Sequence, residues 1–495
     1  MLKIKQSRMR RILVTTMLLS LSAATFTSCN KLKKMGRSGN NDGQIVSKQS
    51  SAWSPERPKG MVPIPGGSFV LGQTDYDFTF ENDAPVRTVS VTGFFMDDTE
   101  ITNSQYQIFV GYVKDSIART RLAERAEQLG FNATNPGGNT GGGIASYSFV
   151  SGSQDGQGTP YDEYLQMNST GREGSATTNA DARKLNWDIP LVWEKYEYPD
   201  VDYAEVMEGL YYPPEERFNG ERLIDTRKLN YSYVWVDQEA AAKKQGAYRI
   251  DFRREEVVNV YPDTTVWVRD FNYSYNDPMH QNYFWHEAYA SYPVVGVNWN
   301  QAMAFSAYRT KRHNDFLSRK AKRGKAKKVI DYRLPTEIEW EYAARGGLQN
   351  APYPWGGPYL TDDRGCYLAN FKPKRGDYME ITEGKKTGYM YTAPVKTFKP
   401  NGYGLYDMAG NVAEWTLSPY NRSFYQMSST LNPSIGRNGD NNIAVRGGSW
   451  KDIGYLLMVS ARDWEHKDSA RSYIGFRTIQ PFPEGAKVNF RTRKK

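Results

Sequence analysis

The sequence predicts an α+β fold rich in loops, and three observations carry that prediction. Helix-start signatures recur at widely separated points, at Thr102, Asn298 and Thr336, each followed three residues later by Gln or Glu. Short apolar runs, at 61–72 and 88–92, have the length and alternation of strands rather than helices. Glycine-rich stretches interrupt every regular period. The longest is Gly402-Tyr403-Gly404-Leu405-Tyr406-Asp407-Met408-Ala409-Gly410-Asn411-Val412-Ala413-Glu414-Trp415, whose glycines allow tight turns around two carboxylates. Short acid-bearing loops of this kind wrap hard cations with side-chain and backbone oxygens.

The chain has 495 residues, enough for two or three modest domains or for one core domain carrying a large insertion. Its 35 Tyr and 12 Trp suit an extracytoplasmic, loop-rich globule. The formal net charge is +9, but residues 1–28 contain five basic residues and no acid, so the remainder carries +4. That is a weak basis for nucleic-acid binding, and none is expected. With only two cysteines, Cys29 and Cys366, a disulfide framework is ruled out. Four histidines, His280, His286, His313 and His466, are too scattered for a zinc or iron centre.

Taken in order, residues 1–28 read as a secretory signal, with a basic start and an apolar run too short for a comfortable membrane span. Phe26-Thr27-Ser28-Cys29 resembles a lipoprotein cleavage box, which implies acylation of Cys29. The alternative is an ordinary signal peptide that happens to contain a cysteine. The residues after Cys29 (Asn-Lys-Leu-Lys-Lys) contain no acid, which points to the periplasmic face of the outer membrane. Residues 29–59 read as a flexible tether with an end-to-end distance of about 30 Å.

Two apolar runs flanking Pro65-Gly66-Gly67 give a hairpin signal, and 88–92 a strand. Thr102 with Gln105 starts a helix carrying Tyr106, Ile108 and Phe109. Residues 135–143 read as loop. The runs 230–237 and 264–270 look like paired strands with Trp235 and Trp267 at matching places. They are either the core of a small β insertion or a partner-binding face. His280, His286 and Glu287 have no ligand spacing. Asn298 with Gln301 starts a second helix. The stretch 311–328 holds nine Lys and Arg against one acid, Asp315. It is either a solvated helix end or a contact for an acidic partner or lipid headgroups. Thr336 with Glu339 starts a third helix, which Gly346-Gly347 ends.

Several of these motifs, in this order, resemble the formylglycine-generating-enzyme (sulfatase-modifying-factor) family. They are Asp97-Asp98-Thr99-Glu100-Ile101-Thr102-Asn103-Ser104-Gln105-Tyr106; Arg333-Leu334-Pro335-Thr336-Glu337-Ile338-Glu339-Trp340-Glu341-Tyr342-Ala343-Ala344-Arg345-Gly346-Gly347; the 402–415 stretch; Arg446-Gly447-Gly448-Ser449-Trp450; and Ile474-Gly475-Phe476-Arg477. The resemblance covers 60–115 and 289–482. It implies the sulfatase-modifying-factor (C-type-lectin-like) fold with a large, mainly β insertion at 116–288 and a basic tail at 483–495.

The family's enzymes bind copper through two cysteines, three residues after the serine of Arg-Gly-Gly-Ser and five further on. Here those positions are Asp452 and Leu457. Neither residue suits Cu(I), so the resemblance implies a non-catalytic chain with no catalytic cofactor. Ser449 lacks the neighbouring base that a serine nucleophile needs. The family's structural calcium carries over onto Asp407, Gly410, Val412 and Glu414. A second site would use Asn370 and Phe371, with the usual acid replaced near Thr387.

A lipid-anchored form of this domain without the catalytic cysteines resembles the GldK (PorK) lipoproteins of the type IX secretion and gliding-motility machinery, with GldJ as the nearest confusion. That resemblance implies a homo-oligomeric periplasmic ring under the outer membrane, with a GldN/PorN-like partner and other secretion components. The alternative is a lectin-like or peptide-binding lipoprotein using the vacated cleft near Ser449, Trp450 and Asp452.

Overall fold

A computed structural model describes residues 56–73, 82–131, 143–149, 185–237, 249–270, 278–320, 328–373, 381–382, 385–386, 388–436 and 440–482. All lie in the compact unit Pro55–Glu484. The expectations for 1–28, Cys29, most of the tether, 135–142, Thr387 and 483–495 fall outside the described residues.

The chain opens with β1 (Met61–Ile64), β2 (Gly67–Leu71), β3 (Arg87–Val91) and β4 (Phe94–Asp97). The hairpin expected at Pro65-Gly66-Gly67 does not form. β1 pairs antiparallel with β4, and β2 with β3. All four β1 residues are buried whereas β2 alternates, so the two belong in different layers. The link between them changes sheets instead of folding back.

α1 (Asn103–Gln128) starts with the expected capping box, in which Thr102 and Gln105 each accept from the other's backbone N–H. Tyr106, Phe109, Val110 and Val113 repeat every three or four residues and face the core. The helix runs thirteen residues beyond the 115/116 boundary drawn from the motifs. Its second half packs Ala118, Leu122 and Ala126 against Tyr203 and Met207 of α2 (Val201–Glu208). Arg125 fixes that junction, 2.7 Å from Asp202.

β5 (Asn230–Val236) is where expected, but its partner is β6 (Arg253–Asn259), not 264–270. Val266–Asp270 is a short helix, α3, and Asp263 turns the chain into it by accepting from the Thr265 backbone N–H. Trp267 therefore lies buried against Trp450, their rings 6.0 Å apart. It cannot share a binding face with Trp235, whose Nε1 donates to Glu256. The described part of 116–288 is thus mixed, with one hairpin among helices and turns, rather than mainly β.

After α4 (Pro278–Asn282) comes α5 (Trp299–Lys320). Asn298 and Gln301 cap its start reciprocally, each at 2.9 Å. α6 (Glu337–Arg345) carries the Thr336/Glu339 capping box and is buried on all sides. It stops at Gly346, whose φ of +59° is a left-handed cap that residues with a Cβ resist. The strands β7 (Ile381–Thr382) and β8 (Lys385–Lys386) form a small pair. β9 (Ala413–Pro419) is followed by α7 (Phe424–Met427), β10 (Asn442–Arg446), β11 (Asp463–His466), β12 (Ile474–Gly475) and β13 (Ile479–Pro481). They complete two sheets, ordered β1-β4-β13 and β11-β10-β9-β12.

Two apolar cores lie against these sheets. One joins α1 and α5 through Tyr106, Phe109 and Phe305 to Trp415 and Phe476. The other packs Trp340, Ala343 and Ala344 of α6 under β1 to β4. Each fully buried large side chain contributes about 1.5–3 kcal/mol. Among the described residues, no helix is long and apolar enough to cross a membrane.

Candidate functional site

The motifs singled out in the sequence meet at one place, the seam between β9, β10, β12 and α6. β10 ends at Arg446, which is fully buried. Its guanidinium reaches Glu341 at 2.6 Å and Glu337 at 3.3 Å, both on α6. Arg462 also holds Glu337, at 2.7 Å, and Arg345 holds Glu341, also at 2.7 Å. Burial alone would raise Glu341, but Arg345 and Arg446 beside it draw it below the ordinary value. The Arg-Gly-Gly-Ser turn is thereby fixed on a buried ionic network.

Beside the Arg-Gly-Gly-Ser turn, the Ser449 hydroxyl donates to Asp452 at 2.6 Å. Leu457 has no exposed surface and packs with Tyr353, Ala369 and Phe371. Ser449 therefore contacts a carboxylate, while His466 sits 3.8 Å from Asp468. Cys366 lies on a separate turn, its N–H donating to Asp362. A cleft opens beside Gly447 and Gly448, lined by Asp452, Asp463, Trp464 and Tyr473. Trp464 is half-exposed there, and burial raises the Asp463 carboxyl.

The cation candidates are divided between two settings. Both Glu414 oxygens are engaged, by Arg477 at 2.6 and 2.7 Å and by the Trp340 indole at 2.8 Å. Asp407 accepts the Lys396 backbone N–H at 2.9 Å and interacts with a second acid, Glu100. Burial pushes Asp407 up to about 6. Burial, then Asp407 beside it, pushes Glu100 well above the carboxylate range. Gly410, at φ +77°, lies so close to Asn370 that an added Cβ would stand 2.3 Å from its carbonyl oxygen. Val412 is fully buried.

The residues present fit a hard cation. Glu100 Oε2 and Asn370 Oδ1 are buried acceptor oxygens without hydrogen-bond partners, and Asn411 links the two residues, donating to Glu100 at 3.0 Å and accepting from Asn370 at 3.3 Å. Spacing does not single out Glu100, although it stands in the 97–106 motif; its contact with Asn411, 311 positions away, is what joins it to the seam. Calcium bound there would be held by Asp407 and Glu100, with Asn370 nearby, while Glu414 stays with Arg477. His280 and His286 do not pair: His280 is buried beside Trp267, and His286 caps a turn at Ala288.

This fold and this seam define a family. The chain belongs to the sulfatase-modifying factor family, whose sulfatase-modifying factor enzyme 1-like domain matches residues 47–481. Among curated relatives, the formylglycine-generating enzyme of Bos taurus is 25% identical over 426 residues, covering 86% of this chain and 75% of that protein. The enzyme of Thermomonospora curvata is 26% identical, covering 85% and 93%. The inactive C-alpha-formylglycine-generating enzyme 2 of Bos taurus is 35% identical over 192 residues, covering 38% and 49%. Among solved structures, PvdO from Pseudomonas aeruginosa aligns over 88% of this chain and all of that one, at 16% identity and a TM-score of 0.41. The family thus includes both active enzymes and proteins named inactive.

Proposed function

We propose that this chain is a non-catalytic, lipid-anchored structural component of the type IX secretion and gliding machinery, resembling GldK (PorK). In this reading it is acylated at Cys29 and sits on the periplasmic face of the outer membrane. There it assembles with a GldN/PorN-like partner into a ring. Asp407 and Glu100 hold its structural calcium.

The observation that supports this reading most is at positions 452 and 457, where the family's enzymes carry thiols. Asp452 is hydrogen-bonded to Ser449, and Leu457 is sealed in the core. A rigid scaffold that has lost its reactive groups keeps its binding faces. Its inactive relative is consistent with that. The test is gentle detergent extraction of the native protein, followed by sizing and identification of whatever travels with it. A large particle containing a second periplasmic protein supports the scaffold; a clean monomer without a companion overturns it.

The second reading is a ligand-binding lipoprotein. It is favoured by the cleft in which Trp464 stands half-exposed beside Asp463. An aromatic lip with a carboxylate suits a cationic ligand. Such a ligand would bind the monomer and be lost in Trp464→Ala.

A further inference from the structure

Three separate stretches of the chain meet beside the second half of α5, which marks one pole of the domain. The Lys59 carbonyl accepts from Arg309 of α5 at 3.5 Å. The charge of Glu56 is felt by His313, one turn further along α5. α5 runs to Lys320, and the Val329 N–H donates back to Asn314 of the same helix. The His313 ring pairs with the Tyr332 hydroxyl at 2.7 Å. The last described residue, Phe482, packs on Phe95, ring centroids 5.2 Å apart. Met61, Phe95, Val329, Tyr332 and Phe482 form one small cluster.

The chain between and beyond these ends is basic. Residues 321–327 contain four Lys and Arg and no acid, and 483–495 contain five against one acid. The α5 surface at this pole has the same character. Arg312, Phe316, Arg319 and Lys320 recur at helical spacing on one exposed side. By the same spacing that side also holds Arg309 and His313, which meet the start of the tether. Phe316 is 53% exposed and has the Lys320 ammonium 5.7 Å from its ring. The acids nearby are Glu56, Asp315, Asp331 and Asp97, and Asp97 already holds the Arg309 guanidinium at 2.7 Å, which leaves the outer cations of α5 to carry the charge of this side. An exposed aromatic ringed by cations is the composition of an interfacial membrane contact.

We propose that this pole, centred on Arg312, Phe316, Arg319 and Lys320 of α5, docks on anionic phospholipid headgroups of the leaflet that holds the Cys29 lipid. The proposal rests on acylation at Cys29, because it is the tether's exit beside α5 that selects a membrane over an acidic protein. The Cys29 lipid holds the chain at the surface, and the basic patch on α5 orients the domain against the anionic headgroups. Docking here fixes which face of the domain points away from the membrane, toward the rest of an assembly.

The test is flotation of the full mature chain carrying Cys29→Ser, so that no acyl chain contributes. The vesicles are zwitterionic phosphatidylcholine, with and without phosphatidylglycerol, at low and high salt. The expected result is binding to the anionic vesicles alone, abolished by salt and weakened on the order of a hundredfold by Arg319→Glu with Lys320→Glu. Phe316→Ser weakens binding while leaving the salt dependence unchanged. Equal binding to both vesicles, or full binding by the double variant, overturns the proposal. So does absence of vesicle binding when the double variant instead loses a co-purifying protein, which transfers the patch to an acidic partner. Mass spectrometry of Cys29 in native membranes checks acylation separately, so that failure of the anchor is distinguishable from failure of the patch.

Discussion

Arg477 is a residue whose loss the structure makes costly. Its guanidinium is fully buried, makes two hydrogen bonds to Glu414, and donates to the carbonyls of Asp97 and Tyr406. Its charge also acts on Glu100 and Asp407, so three buried carboxyls surround one cation. Replacing it by Met leaves Glu414 with only the Trp340 indole and removes the one attraction common to all three acids. Breaking a buried pair from one side costs about 3–5 kcal/mol. For the unit spanning 55–484, an unfolding entropy of about 2.1 cal/mol/K per residue amounts to about 0.9 kcal/mol/K. Arg477→Met should therefore lower Tm by about 3–6 °C, read by thermal unfolding followed by circular dichroism. The double variant Arg477→Met with Glu414→Leu should recover most of that loss, since an apolar replacement of both partners is close to neutral. A single variant that costs less than about 1 kcal/mol would refute the reasoning. So would a double variant less stable than the single one.

The acid pair gives a pH dependence of defined sign. Asp407 holds its proton more tightly folded, at about 6, than at its ordinary 3.8, so its contribution is present below pH 3.8 and is lost as pH rises to about 6. Asp407→Asn should remove that loss, worth on the order of 2–3 kcal/mol at pH 7, and reduce the fall of Tm with pH across the window, with the buried Glu100 carrying what remains. Added calcium should raise the Tm of the native chain at pH 7, by an amount equivalent to about 2.7 kcal/mol at a hundred times its Kd, and leave Asp407→Asn unmoved. Calorimetric titration measures the binding directly.

The three capped helices were legible because a capping box is closed within four residues. Thr102 with Gln105, Asn298 with Gln301 and Thr336 with Glu339 each satisfy their own backbone donors. Gly346 was legible for the same reason, since a left-handed cap is a property of one residue. Pairing was not: β6 reads Arg-Arg-Glu-Glu-Val-Val-Asn and shows no apolar alternation, so the apolar run 264–270 looked like the better partner. What decides the pairing is Glu256, which accepts from both Tyr233 and Trp235 across the ladder.

The same division holds at the site. The sequence by itself determined which residue types stand in the seam, among them Asp452 and Leu457, and where helices begin. Those are matters of identity and of local geometry. Only the tertiary structure decided that Glu414 belongs to Arg477, that Glu100 stands against Asp407, and that Lys59, Val329 and Phe482 come together beside α5. Each of these joins residues from separate parts of the chain. Charge pairing in a buried seam depends on which side chains the packed sheets bring within a few ångströms, and spacing along the sequence carries no record of that.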